Sequence, residues 1–514
     1  MSHTLVDTLV FKLTALLDQI GATADNHLWL GYSGGMDSEL LAYTLARFRQ
    51  THPKTPYQVS LVHVHHGLSR NADAWAAHCR QRAEHYGLNF VLRKVQLELG
   101  PRVSIEAEAR RGRYQAIAEL LNPGDILLTA HHQDDQLETL LLALKRGQGP
   151  KGLAAMGQAQ HLAQTPKEES APCWQLRPML DSSRAQIEQA VASLELPYIN
   201  DESNQDTQYD RNFLRAEVIP VLKQRWPSIA TTASRSAALC AEQQLLLDEV
   251  STEKLQPLLG RCRFSGVRVL DSAGLKVLSP QWQAQLLRQF IQMQRLPLPA
   301  QVQLQQALAQ LLDAREDAQL ELSFKGLLLK RYGQQIYAMA PLPGAAFQLL
   351  DGVGSVEDVA AKNSKLTLSQ KQLQALSQGQ SLSVGLTSPW QRLELTLADS
   401  GPRVALAQVM APLMASLSAS QGAKVQVSDV AAAPELVLGL KGSYRCQPHN
   451  RDKGRELKKL WHELGVPPWL RDRVPLLMQN GRLLALAGGF VERSALASGS
   501  EPGIVLKLVA EATP

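Results

Sequence analysis

Leu28-Trp29-Leu30-Gly31-Tyr32-Ser33-Gly34-Gly35-Met36-Asp37-Ser38 is an apolar run that ends in a glycine-rich turn, and Glu39 to Ala46 continues it at helical spacing. The order is strand, loop, helix. Two adjacent glycines open backbone angles closed to other residues, so successive amide N–H groups can face a phosphate at the positive end of the following helix. Ser33 and Ser38 add hydroxyls. The loop lacks the Gly-Lys-Ser/Thr ending that places a lysine on the β- and γ-phosphates, so cleavage between them is not indicated. Asp37 is an anion where anions repel, which makes sense if Mg²⁺ stands between its carboxylate and the phosphates. An ordinary glycine-rich turn is the alternative, and the rest of the chain must decide.

The stretch Ser33-Gly34-Gly35-Met36-Asp37-Ser38 resembles the signature of the PP-loop ATP pyrophosphatases. That resemblance implies cleavage of ATP to AMP and pyrophosphate: a carbonyl oxygen is adenylated and a nucleophile displaces AMP.

Working outward, residues 1 to about 220 alternate apolar runs with helical patterns: Val59 to Val64, Ala72 to Tyr86, Phe90 to Val95, Ile105 to Leu121 and Ile126 to Thr129. This predicts an α/β domain, a parallel sheet with helices on both faces and ligands at the strand C-terminal ends. Leu5 to Ile20 is apolar at helical spacing but carries Asp7, Lys12 and Asp18, so it reads as a docked amphipathic helix and not a signal or membrane span. At 514 residues the chain is too long for one core. The expected division is a PP-loop catalytic domain over 1–222, a mostly helical domain over 223–345 ending in a strand pair near Gln319 to Ala338, a linker over 346–380, and a small basic α+β C-terminal domain over 381–514. Leu393, Leu395 and Leu397, then Val425 and Val427, supply the β alternation there. Ala411 to Gly422 is Ala/Ser-rich and carries no chemistry.

A hydrophobic fraction of 45% and a charged fraction of 20% are those of a soluble globular protein. Five scattered cysteines form no Cys-x-x-Cys, which points to a reduced, cytoplasmic protein without a zinc or iron-sulfur site. The net charge of +5 is equalled by Lys441 to Val474 alone, where nine Lys/Arg face four Asp/Glu. A basic patch is therefore concentrated near the C-terminus.

The second informative stretch is Thr129 to Thr139. On its helix His132, Asp135 and Glu138 are spaced by three, so an imidazole and two carboxylates can converge on one pocket. That suits an amine: Asp135 or Glu138 can bind an ammonium, and one of them or His132 can take its proton. Carboxylates complementing a helix dipole are the alternative. His65-His66-Gly67 ends the strand Val59 to Val64 at the same sheet edge, where it can close a nucleotide site or pack locally. Glu106, Arg110 and Arg113 share a helical face, and Arg211 and Arg215 share one turn. These arginines can grip phosphates or RNA, or form ordinary ion pairs.

Together with His65 to Ser69, Lys145-Arg146-Gly147, Asp201 to Arg215, Gly454 to Leu460 and Val466 to Arg471, these stretches resemble the bacterial tRNA(Ile)-lysidine synthetase family. The resemblance implies two steps on the wobble cytidine of tRNA(Ile) with a CAU anticodon. The cytosine carbonyl oxygen attacks the α-phosphate of ATP, and the ε-amine of free L-lysine then displaces AMP to give lysidine. ATP and Mg²⁺ are the implied cofactors. Asp37 would hold the metal, Ser33 to Ser38 the phosphates, Asp135 and Glu138 the lysine ammonium, and His132 would be a base or an AMP-side ligand. Lys330, Arg331, Arg455, Lys458 and Lys459 would contact RNA, with Trp461 and Trp469 available to pack or stack. A homodimer is compatible with all of this.

The rivals are a cytidine thiolase, a small-molecule amide-forming ligase of the same superfamily, and a noncatalytic RNA-binding protein. The first wants paired cysteines and the second a glutaminase region. Intact Ser33, Asp37, Ser38, Asp135 and Glu138 count against the third.

Overall fold

Strand β1 (Leu28–Gly31) forms because Leu28, Trp29 and Leu30 are all buried, two faces' worth of apolar side chain in a central position. In the computed structural model, which describes residues 4–53, 57–67, 69–97, 105–162, 172–200, 206–315, 320–348, 364–387, 389–411 and 432–510, β1 lies within a six-stranded sheet. Its other strands are β2 (Val59–His65), β3 (Asn89–Lys94), β4 (Ile126–Leu128), β5 (Ala159–His161) and β6 (Trp174–Leu176), in the order β3-β2-β1-β4-β6-β5. All neighbours run parallel except the edge pair β5 and β6. Strand order reverses between β1 and β4, so a crevice opens beyond their C-terminal ends.

Helix α1 (Leu5–Gln19) is docked as its spacing predicts: Leu9 and Leu13 are fully buried, and Thr4 with Asp7 forms a capping box. Helices α2 (Met36–Thr51) and α3 (Ala72–His85) share with α1 the larger of the cores on this sheet, where Leu40, Leu45 and Ala83 are fully buried. Helix α4 (Ile105–Ala118) is the source of Ile117 in a second, smaller core with Trp29, Val62 and Leu127. Helices α5 (Gln133–Lys145), α6 (Pro150–Leu153) and α7 (Arg184–Ser193) follow β4 and β6.

The chain divides into two compact units, residues 1–248 and 249–514. In the second unit the stretch expected to hold a strand pair forms three strands, Leu320–Phe324, Leu327–Tyr332 and Gln335–Met339, of an antiparallel five-stranded sheet. Its side chains pack on the helices Pro280–Met293 and Gln301–Asp313 through Leu286, Phe290, Leu304, Leu311, Leu329 and Ile336. Residues 365–367 and 370–377, expected in a linker, form a strand and a helix that place Leu368, Leu373 and Leu376 in the C-terminal core. Leu393 and Leu395 face inward from the strand Trp390–Ala398, as their alternation predicts. Val425 and Val427 lie outside the described residues, as do 349–363 of the expected linker. No helix among the described residues is long and apolar enough to cross a membrane.

Two expected RNA contacts are corrected here. Arg331 is 7% exposed, and its guanidinium donates to the carbonyls of Leu311, Ala314 and Gly333 at 2.6, 2.8 and 2.9 Å. Lys330 is equally buried, pairs with Glu321 at 2.7 Å and lies 4.8 Å from the centre of the Trp469 ring. Both are buried cations held by partners inside the sheet, which argues against an outward phosphate contact. Trp461 is a core residue, and Trp469 packs edge-on against Tyr332 and Tyr337.

Candidate active site

The loop after β1 turns at Gly34, where φ is +80°. A Cβ there would lie 2.5 Å from Ile199 Cδ1 and 2.8 Å from Cys79 Sγ, so both the angle and the space demand glycine. The Gly34 carbonyl accepts from Ile199 N at 2.9 Å. Gly35 is the N-cap of α2, and no side chain caps the helix, which leaves first-turn amides for an anionic guest. Ser38 Oγ donates to the Gly35 carbonyl at 2.9 Å and lies 3.1 Å from Ser33 Oγ, so the two hydroxyls meet across the turn. Met36 is buried beneath it.

Asp37 occupies the first turn of α2. Its Oδ1 is buried without a partner, and its Oδ2 lies 3.7 Å from His132 Nε2. Burial pushes this carboxyl above the usual range, against the pull of His132 and Arg184 and with the help of Asp135.

His132 comes from the end of β4, 3% exposed, as the N-cap of α5. The Asp134 N–H donates to its Nδ1 at 3.2 Å, and Nε2 stands between Asp37 Oδ2 and Asp135 Oδ2, which is 3.6 Å away. With Nδ1 accepting, a neutral ring carries its proton on Nε2 and directs it toward the carboxylates. In that tautomer Nε2 has no lone pair for a substrate ammonium, so the ring is better placed to orient carboxylates than to act as a base.

Asp135 and Glu138 converge as the three-residue spacing predicts. Asp135 Oδ2 accepts from the His132 N–H at 2.9 Å. Arg215 then takes both acids: Nη2 donates to Asp135 Oδ1 at 2.8 Å and to Glu138 Oε2 at 3.1 Å, and Nε donates to Glu138 Oε1. Arg211 Nη1 is 3.9 Å from Glu138 Oε2. Burial is the largest influence on both acids and acts upward. For Asp135 it is outweighed by His132, His131 and Arg215, and the group lies below the ordinary carboxylate range. For Glu138, fully buried, it prevails over Arg215 and the group lies above.

Arg211 and Arg215, read as phosphate grips, are thus gathered onto the acidic helix. Arg110 and Arg113 lie on α4, both exposed. The side chain of Glu106, with Leu68 and 201–205, lies outside the described residues. In the second unit Lys458 and Lys459 are exposed on the helix Leu457–Glu463, Lys458 beside Glu456 at 3.2 Å, and Arg455 pairs with Glu463.

A PP-loop domain model matches residues 7–222, a TilS substrate binding domain model residues 270–337 and a TilS substrate C-terminal domain model residues 436–508. The tRNA(Ile)-lysidine synthase of Shewanella oneidensis is 47% identical over 491 residues, covering 95% of this chain and 96% of that protein. Those of Shewanella woodyi and Escherichia coli O157:H7 are 44% and 36% identical, over 96% and 92% of this chain and 96% and 94% of theirs. The chain belongs to the tRNA(Ile)-lysidine synthase family.

One group beside the site of this family member gives no signal of its role in the sequence. Glu39, fully buried, accepts from the Tyr32 hydroxyl, from Arg82 Nε at 2.8 Å and from the Tyr86 hydroxyl at 2.6 Å, which ties the start of α2 to α3 behind the loop. Its position in a first helical turn looks like an ordinary dipole-complementing acid, and its partners from α3 lie 43 and 47 residues away. Asp134 is held by Lys223 through Oδ2, while its Oδ1 is buried without a partner.

Proposed function

We infer that this protein is a tRNA(Ile)-lysidine synthase, using ATP to join lysine to the wobble cytidine of tRNA(Ile) with a CAU anticodon and releasing AMP and pyrophosphate. The observation that carries the reading is the meeting of the phosphate loop and the acidic helix at the β1–β4 crevice in a chain of this family. The loop amides and the Ser33 and Ser38 hydroxyls receive the phosphates of ATP. The unpartnered Asp37 Oδ1 suits Mg²⁺, which is commonly held by one or two carboxylates plus phosphate oxygens. That ion would offset negative charge building on the phosphates during transfer.

Asp135 and Glu138 form the proposed lysine ammonium site. An ammonium entering there exchanges with hydrogen bonds of Arg215, and Glu138, raised by burial, is the better placed of the two to take a proton. Residues 1–222 would carry the chemistry, with 223–345 and 381–514 holding tRNA. Five unpaired cysteines suit the cytoplasm.

The test is to incubate the protein with ATP, Mg²⁺, lysine and a CAU-anticodon tRNA(Ile) transcript and weigh the wobble nucleoside. A lysine adduct is expected, and its absence sinks the reading. The basic segment is tested apart: Lys458→Gln with Lys459→Gln should flatten the salt dependence of tRNA binding by about 1.5 in log–log slope, roughly 0.7–0.9 per lost phosphate contact. An unchanged slope removes these lysines from the interface.

A further inference from the structure

Tyr32 and Glu39 flank Ser33–Ser38 on either side, and their side chains meet: the Tyr32 hydroxyl donates to Glu39 Oε2. The loop is thereby closed into a ring at its base. Tyr32 is 2% exposed and Glu39 fully buried, so water does not compete for this bond. Burial, and then the Glu39 carboxylate, hold the Tyr32 hydroxyl above its ordinary range, so it keeps its proton and stays a donor.

Each end of the clasp is fixed from outside the loop. The Tyr32 N–H donates to the Val62 carbonyl, and the Tyr32 carbonyl accepts from His63 Nδ1, both at 2.9 Å, which pins this residue to β2. Glu39 Oε1 accepts from Arg82 Nε at 2.8 Å and from the Tyr86 hydroxyl at 2.6 Å, which pins the other end to α3. Between the two ends stand Gly34 and Gly35, and glycine loses more backbone freedom on ordering than any other residue. With no side chains to restrict them, they take their shape from these anchors. Ser33 Oγ and Ser38 Oγ also meet across the turn, at 3.1 Å, but those hydroxyls are assigned to phosphate. The Tyr32–Glu39 bond is made by buried atoms and needs no rearrangement when the loop is filled.

We propose that Tyr32 and Glu39 are positioning residues for the nucleotide: their clasp holds the loop in its phosphate-receiving shape before ATP arrives, so that binding does not have to order the two glycines. The proposal rests on the assignment of the loop to the phosphates of ATP given above. An ordinary buried ion pair joining α2 to α3 is served by Arg82 alone and does not call for a donor from the far side of the loop.

The test is the affinity for ATP with Mg²⁺, by calorimetry, of the parent, Tyr32→Phe and Tyr86→Phe, each followed also in thermal unfolding and in lysine adduct formation. Both variants delete one hydroxyl from the same carboxylate and keep the ring. Tyr32→Phe opens the clasp and should weaken ATP binding by about tenfold, the worth of a hydrogen bond to a charged group, with KM for lysine at saturating ATP unchanged. Tyr86→Phe leaves the clasp and Arg82 in place and should bind ATP as the parent does. A Tyr32→Phe protein that loses thermal stability yet binds ATP as tightly as the parent overturns the proposal, leaving the pair a structural contact only. Equal weakening by both variants, or a rise in KM for lysine to match that for ATP, overturns it too, marking a general loosening of the unit. A parent that does not bind ATP marks failure of the phosphate assignment itself, and of the clasp with it.

Discussion

Asp37→Ala is expected to slow lysidine formation by about a thousandfold while leaving the fold intact, the loss seen when a single group facing transition-state charge is removed. The two halves of this expectation have separate grounds. Asp37 Oδ1 has no hydrogen-bond partner and Oδ2 only the 3.7 Å approach of His132, so alanine breaks no strong contact. Burial raises the pKa of this carboxyl in the folded protein. A group raised in this way binds more protons in the native than in the unfolded state, so its charged form costs stability above the raised pKa and the cost is relieved as pH falls through it. Alanine removes that cost, and thermal unfolding at neutral pH should come no earlier than in the parent. The same sign predicts that affinity for a divalent ion weakens on acidification at a higher pH than for an ordinary carboxylate, which Mn²⁺ binding can follow. Single-turnover adduct formation decides the activity; a variant as fast as the parent removes Asp37 from the reaction.

Much of the first unit is legible because its signals are local. The run Leu28 to Leu30 marks a central strand, Gly34 needs its positive φ within one turn, and the spacing His132, Asp135, Glu138 is a helix-face relation. What escapes involves partners distant in the chain. Arg215 reads as a phosphate grip until α5, 77 residues earlier, is laid against it. Lys330 and Arg331 follow Leu327 to Leu329 and look like the wet end of a strand. Yet the strand Leu327–Tyr332 is flanked on both sides, with Lys330 opposite Glu321 and Tyr337. The carbonyls that satisfy Arg331 come from the end of the preceding helix, a relation no residue spacing displays.

Arg215→Ala should markedly destabilise the first unit, because it leaves two acids of α5 without their shared cation. Glu138 is fully buried and Asp135 is 6% exposed, so neither can replace the guanidinium with bulk water. Breaking a buried ion pair from one side costs about 3–5 kcal/mol. Arg215 is 41% exposed along its side chain, which screens the pair and places the expected loss near the lower end, about 3 kcal/mol. For a unit of this size that is a fall in Tm of roughly 6–12 °C. The pH dependence distinguishes a lost charge partner from lost packing. Glu138 already lies above the ordinary range, and without Arg215 it rises further. The native state then holds a proton the unfolded state has released, so the deficit is largest above the raised pKa and shrinks as pH falls through it. A deficit that is flat across that window would assign the loss to the missing side-chain volume. Adding Glu138→Gln to Arg215→Ala should recover part of the stability at neutral pH, since an amide in place of the stranded carboxylate removes the buried charge, and the double-mutant cycle then measures the coupling of the pair directly.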